Sequence, residues 1–187
     1  MTRLFIELLV VILLLGINAF LAASELALVS ASKPRLRSMA EEGNGSAKRA
    51  LDLAETPARF LATVQIGITV AGFFAAAVGA VTLTKYVDDG LGDLSVSFIA
   101  NNSGAIAFVL VTVVLSFLSI VFGELVPKTF AVNRADSIAL KIANPIFWLS
   151  QAMRPVVRLL VLGREGRRPR LRREHRLRVG HHRRRGA

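Results

Sequence analysis

Two carboxylates stand where carboxylates are costly. Glu25 follows the uncharged stretch 8–24, and Glu124 follows the uncharged stretch 94–123. Ionisable groups at the edge of long apolar runs are expensive and invite a functional reading. The setting of Glu124, in Gly123-Glu124-Leu125-Val126-Pro127-Lys128, has a specific logic. Pro127 has no N–H, so the helical bond to the Gly123 carbonyl cannot form, and the ring pushes that carbonyl aside. A carbonyl oxygen is thereby released beside a carboxylate, which places two hard oxygen donors at one depth. Such donors suit Mg²⁺, which takes about six oxygens in octahedral array. Asn18, Ser24, Gln65, Thr69, Ser116 and Ser119 carry the amides and hydroxyls at comparable positions that would complete the shell. An alternative stays open: Pro127 ends the helix, and Glu124 reaches water and pairs with Lys128 at i,i+4. Glu25 also reads two ways, as a metal ligand or as an ordinary interfacial carboxylate with Ser30 and Lys33 one or two turns on.

Other chemistries are excluded by what the chain lacks. There is no cysteine, so disulfides, thiol chemistry and cysteine metal sites fall away. All three histidines, His175, His181 and His182, lie in the last thirteen residues, away from the apolar runs. No paired nucleophile and base is present, and no phosphate-cradling glycine loop, so the sequence does not read as an enzyme.

The elements that must hold these donors are helices crossing a bilayer. The composition is 53% hydrophobic with mean hydropathy +0.52, yet 20% of residues are charged. Charges are therefore segregated from apolar runs rather than interleaved with them. The runs 8–24, 60–84 and 94–123 hold 17, 25 and 30 residues without a charge. About 20 apolar residues cross the hydrocarbon core, so the second and third suffice alone and the first does so by continuing through Leu26–Val29. The predicted fold class is an all-α membrane protein, with helices over about 4–32, 58–84 and 98–123 and amphipathic or kinked juxtamembrane helices over 33–56 and 135–162. The N-terminal helix reads as retained rather than cleaved as a signal peptide, because Glu7 sits badly in an n-region.

Between the first two helices, Leu36, Ala40, Ala47, Leu51 and Ala54 recur at near-helical spacing, broken at Gly43-Asn44-Gly45. This predicts two short helices lying on the membrane face. That connection carries Lys33, Arg35, Arg37, Lys48, Arg49 and Arg59, whereas 85–93, read as a loop, carries Asp88, Asp89 and Asp93. Basic connections stay in the cytoplasm, so the N-terminus is expected outside, in a multi-pass protein of the plasma or inner membrane. In the second helix Ala71, Ala75 and Gly79 form one small-residue row, and Gly72, Ala76 and Ala80 the next. Such rows allow close helix approach, either within one subunit or across a dimer seam.

The net charge of +11 belongs mostly to the end of the chain: residues 164–187 contain eleven Arg and two Glu. No core can form there, and the segment is expected to be a disordered Arg-rich tail. It is either a polybasic segment that attracts anionic lipid or nucleic acid, or Arg-rich translation after loss of the natural reading frame near residue 163. The abrupt change in composition favours the second. No specific nucleic-acid partner is expected.

Three stretches together resemble the CorC/CNNM family. Asn18-Ala19-Phe20-Leu21-Ala22-Ala23-Ser24-Glu25 is similar to its first helix, Arg59-Phe60-Leu61-Ala62-Thr63-Val64-Gln65-Ile66-Gly67-Ile68-Thr69 to its second, and Gly123-Glu124-Leu125-Val126-Pro127-Lys128 to its most distinctive signature. The resemblance covers about residues 4–162 and implies a dimeric three-helix membrane domain associated with Mg²⁺ export or homeostasis, in some members coupled to Na⁺. Carried over residue by residue, it makes Ser24, Gly123 and Glu124 the leading cation ligands, with Asn18, Gln65 and Thr69 behind them. Ala22 stands where several relatives have Ser. The family normally continues into nucleotide-binding cystathionine-β-synthase (CBS) domains; residues 164–187 do not resemble them, so no nucleotide is expected in this chain. A divalent-cation transport core is the leading functional expectation. A non-transporting membrane anchor or scaffold is the alternative, and it has no need of the Gly123, Glu124 and Pro127 constellation.

Overall fold

The computed structural model describes residues 2–93 and 96–157, and all of its regular structure there is helical. The chain divides into two units, Met1–Ala152 and Met153–Ala187. The second contributes one described turn, closed by the Val157 N–H on the Met153 carbonyl at 2.9 Å. The expected tail, 164–187, and the end of the expected juxtamembrane helix, 158–162, lie outside the described residues.

Helix α1 (Thr2–Ser30) is uninterrupted. Two short helices follow, α2 (Lys33–Glu41) and α3 (Gly45–Glu55), as the broken periodicity predicts. Their break is built by Gly43, whose φ of 93° only glycine adopts freely. The Gly43 N–H bonds the Ala40 carbonyl at 3.1 Å and the Asn44 N–H bonds the Met39 carbonyl at 3.0 Å, which closes the helix end. Asn44 Oδ1 then accepts from the Ser46 and Ala47 N–H groups at 3.0 and 3.1 Å and opens α3.

Helix α4 (Pro57–Gly92) runs 36 residues. The stretch 85–93, read from its charges as a loop, is helical up to Gly92. Nothing in Lys85, Asp88 or Asp89 breaks a helix once it has left the apolar phase, and α4 ends only at Asp93. The third crossing also differs from expectation. A separate short helix, α5 (Ser97–Asn101), stops where the Asn102 side chain donates to the Phe98 carbonyl at 2.9 Å, and α6 (Ser103–Ile120) starts afresh. An uncharged count cannot see this break, because asparagine carries no charge. Nor does the crossing end at Pro127: a π-helical segment, Val121–Leu125, leads directly into α7 (Val126–Asn133). Helix α8 (Ala135–Ala152) closes the first unit, with Pro145 inside it.

Three stretches are long and apolar enough to cross a membrane: Leu4–Ser30, Pro57–Gly92 and Ser103–Asn133. Helix α1 packs on α4, and α4 packs on α6. Large apolar side chains such as Phe5, Ile12, Phe117 and Phe122 face outward, the arrangement a lipid solvent permits and water does not. The chain is a multi-pass membrane protein. The row Ala71, Ala75 and Gly79 is buried within the chain, with Gly79 against Leu115 of α6.

The tightest packing gathers where the end of α1 meets α2, α3, the start of α4, and α8. Leu28, Leu36, Leu53, Phe60, Val64, Ile142 and Ile146 form its centre. Polar ties fix the rim. Asp136 at the head of α8 accepts from the Ser32 N–H at 2.9 Å and from Arg35 at 3.1 Å. Arg49 of α3 donates to the Asn144 side chain and lies over the Phe147 ring.

Candidate cation site

Pro127 governs the local backbone. It cannot donate to the Gly123 carbonyl, and the ladder slips a residue: the Val126 N–H bonds the Val121 carbonyl, an i→i−5 bond. The helix absorbs the proline as a single π turn instead of ending. Gly123 lies buried within that turn, and its carbonyl accepts from Asn18 Nδ2 of α1 at 3.3 Å. Absence of a side chain permits this approach, because a Cβ at 123 would stand 3.0 Å from Asn18 Nδ2 and 3.6 Å from Ser119 Oγ.

The Asn18 amide is 4% exposed, and its donation to Gly123 settles which end is nitrogen. Its Oδ1 is buried without a hydrogen-bond partner. An unpaired buried carbonyl oxygen costs about 1–3 kcal/mol, and this one is left able to accept from water or a ligand. Asn18 lines a cavity of about 680 Å³ bounded by α1, α4 and α6. Thr69, Ser116, Ser119 and Glu124 also line it, and Val11, Phe73 and Phe108 lie among its apolar walls. With Thr112, five neutral oxygen-bearing side chains and one carboxylate thus share one cavity.

The expected ligands divide accordingly. Asn18, Thr69 and Glu124 reach the cavity, and Gly123 touches it through Asn18. Ser24 does not line it: its buried hydroxyl donates back to the Phe20 carbonyl at 2.7 Å. Gln65 is exposed and lies outside the lining; its carbonyl accepts from the Thr69 hydroxyl at 2.8 Å. Helical phase explains Ser24. Seven residues return to nearly the same face, six do not, so Glu25 shares a face with Asn18 and Ser24 is turned about 120° away from it.

Glu124 is paired. Lys128 Nζ lies 2.5 Å from Glu124 Oε1 and 3.4 Å from Glu25 Oε2. The i,i+4 pair was legible in the sequence; the bridge to Glu25, 103 residues away, was not. No group of three or more His, Cys, Asp or Glu gathers as a metal cluster among the described residues. The oxygens present are hard and mostly neutral, a set that fits a cation kept partly hydrated rather than one locked in a carboxylate cage.

Comparison with known proteins agrees with this architecture. Residues 9–164 match the CNNM family, described as the cyclin M transmembrane N-terminal domain. The UPF0053 protein sll0260 of Synechocystis sp. is 38% identical over 83% of this chain and 34% of its own length. The UPF0053 inner membrane protein YfjD of Escherichia coli is 33% identical over 77% of this chain and 30% of its own. A Haemophilus influenzae protein named polyamine export protein is 30% identical over 83% of this chain and 35% of its own. The chain thus spans about a third of the length of the curated relatives it matches. The matched family is a transmembrane domain. With three apolar crossings, the Gly123-Glu124 π turn before Pro127 and a family match over most of its length, this chain belongs to the CNNM family.

Proposed function

We propose that this chain is the membrane core of a divalent-cation transporter, with Mg²⁺ as its substrate and export or homeostasis as its role. The observation that carries the reading is the buried, unpartnered Asn18 Oδ1 in the cavity that Glu124 also lines. A membrane anchor has no use for an unsatisfied amide oxygen beside a carboxylate, whereas a cation satisfies both. In this reading Asn18 Oδ1 and Glu124 supply first contacts, and Thr69, Ser116 and Ser119 hold the hydration water. The Gly123 carbonyl fixes the Asn18 amide and becomes a ligand if that amide turns. Ser24 supports the α1 backbone from behind, and Gln65 lies beyond the cavity. Na⁺ is the candidate coupling ion. The working unit is a homodimer with its N-terminus outside the cell, and the Arg-rich segment 164–187 attracts anionic lipid.

The test is calorimetric titration of the detergent-solubilised chain with MgCl₂. Glu124→Gln is expected to abolish Mg²⁺ binding at nearly constant shape. Pro127→Ala is expected to weaken it about tenfold, because a restored N–H draws the Gly123 carbonyl back into the helix ladder. Unchanged affinity in both variants would defeat the assignment. The size of the cavity and its phenylalanine walls favour a second reading, an organic polyamine, the substrate class named for the Haemophilus influenzae relative. Heat on spermidine addition that depends on Glu124, with none on Mg²⁺ addition, decides for it.

A further inference from the structure

Lys128 sits in an unusual position for a residue beside a cation site. It is itself a cation, and it reaches two carboxylates from different parts of the chain. Its contact with Glu124 Oε1, at 2.5 Å, is a short charge-assisted hydrogen bond. Its contact with Glu25 Oε2, at 3.4 Å, is an ion pair too long to be a good hydrogen bond. Glu25 Oε2 is buried and has no hydrogen bond. The pairing is lopsided: one carboxylate is held, the other waits.

The formal charges of Glu25, Glu124 and Lys128 sum to −1. Without the lysine, two carboxylates would face an apolar setting with no counter-charge, which is costly inside a membrane. With it, an arriving divalent cation meets a carboxylate already in use. Lysine suits an exchange between these states. Its ammonium is a compact charge with three donors on a flexible four-carbon stem, so it can leave Glu124 without any backbone movement. A shift of under about 1 Å would bring Nζ within charge-assisted hydrogen-bond range of Glu25.

The geometry points to Lys128 as a tethered internal counter-ion: it occupies Glu124 while the site is empty and withdraws to Glu25 when a divalent cation loads. Lys128 is a positioning residue in this scheme, and Glu25 is its resting partner and not a metal ligand. The proposal rests on the reading of Glu124 as the cation ligand. It accounts for both carboxylates flanking the apolar runs and gives the i,i+4 pair a part in the cycle.

Four variants of the full chain, Lys128→Met, Lys128→Arg, Glu25→Gln and the double variant K128M/E25Q, test it by MgCl₂ calorimetry beside the wild type. Helical content and elution in detergent report folding. K128M removes the competing charge and is expected to bind Mg²⁺ at least about tenfold more tightly. K128R keeps a competing charge and is expected to stay near wild type. E25Q removes the resting partner, so Lys128 holds Glu124 more firmly and Mg²⁺ binding weakens. In the K128M background the same change is expected to have no effect, a coupling that a merely structural role for Glu25 would not produce. If wild type binds Mg²⁺ and K128M binds equally or less tightly, the proposal is overturned while the Glu124 site stands. Equal weakening by E25Q in both backgrounds makes Glu25 a direct ligand and also overturns it. Should K128M fail to fold, an unchanged affinity in E25Q alone overturns it. Binding by K128M where the wild type is silent supports it. Silence in every variant removes the Glu124 site and this proposal with it.

Discussion

At the scale of single residues, the Asn18 amide is the pivot of the site. Its nitrogen is tied to the Gly123 carbonyl and its oxygen is unpartnered, so anything that moves the amide moves the oxygen. Gly123→Ala puts a Cβ 3.0 Å from Asn18 Nδ2, and that amide must turn or retreat. Helix formation should not suffer, because alanine favours a helix over glycine by about 1 kcal/mol. We therefore expect Mg²⁺ affinity to fall about tenfold, the loss of one well-placed ligand, with the thermal midpoint unchanged or raised. Calorimetry paired with a circular-dichroism melt checks both halves. Glu124, Gly123 and Asn18 stand out in the sequence because each is a polar or backbone-freeing group in an apolar run, and the structure brings the three near one another. Ser24 and Gln65 group with them by residue type, without helical phase or depth, and neither lines the cavity. Ser24 is on the wrong face of α1, and Gln65 lies a turn short of the cavity on α4. The Glu25–Lys128 contact was beyond reach, since no local pattern links residues 103 positions apart.

At the scale of elements, the strongest punctuation was readable. Gly43-Asn44-Gly45 separates α2 from α3, and Asn44 caps the second as its residue type dictates. The break at Asn102 and the continuation through Pro127 were not readable, because each depends on which carbonyl a particular donor finds. Pro127 is instructive: proline ends a helix only if no neighbouring register is available, and here a π turn supplies one. The juxtamembrane helices hang on a small brace, Asp136, which accepts from the Ser32 N–H and from Arg35. Asp136→Ala removes a side-chain cap on the chain entering α2 and a partly exposed ion pair. A loss of about 1 kcal/mol is expected, from the cap more than from the ion pair. Denaturant unfolding in detergent, compared with wild type, measures it; an unchanged midpoint would show that α8 holds α2 by apolar packing alone.

At the scale of the whole molecule, the apolar exterior and segregated charge made the membrane class plain from composition, and only orientation is left to charge asymmetry. The basic stretch over α2 and α3 and the acidic end of α4 should lie on opposite sides of the bilayer. Reporter fusions after Gly45 and after Gly90 are expected to register cytoplasm and exterior respectively; the same side for both would overturn the three-crossing arrangement. The length of α4 carries a mechanical consequence. Its 36 residues rise about 54 Å, against about 30 Å of hydrocarbon, and no proline interrupts it after Pro57. Such a rod behaves as a lever. A tilt of about 5° around its midpoint carries each end roughly 2 Å, in opposite directions. Its middle, from Ile68 to Ala80, forms a wall of the cavity, so the fulcrum lies at that cavity and the ends move on either side of it. A force applied to the projecting end near Asp88 or to the buried foot at Phe60 is thus transmitted to the chamber between them without a joint in which to dissipate.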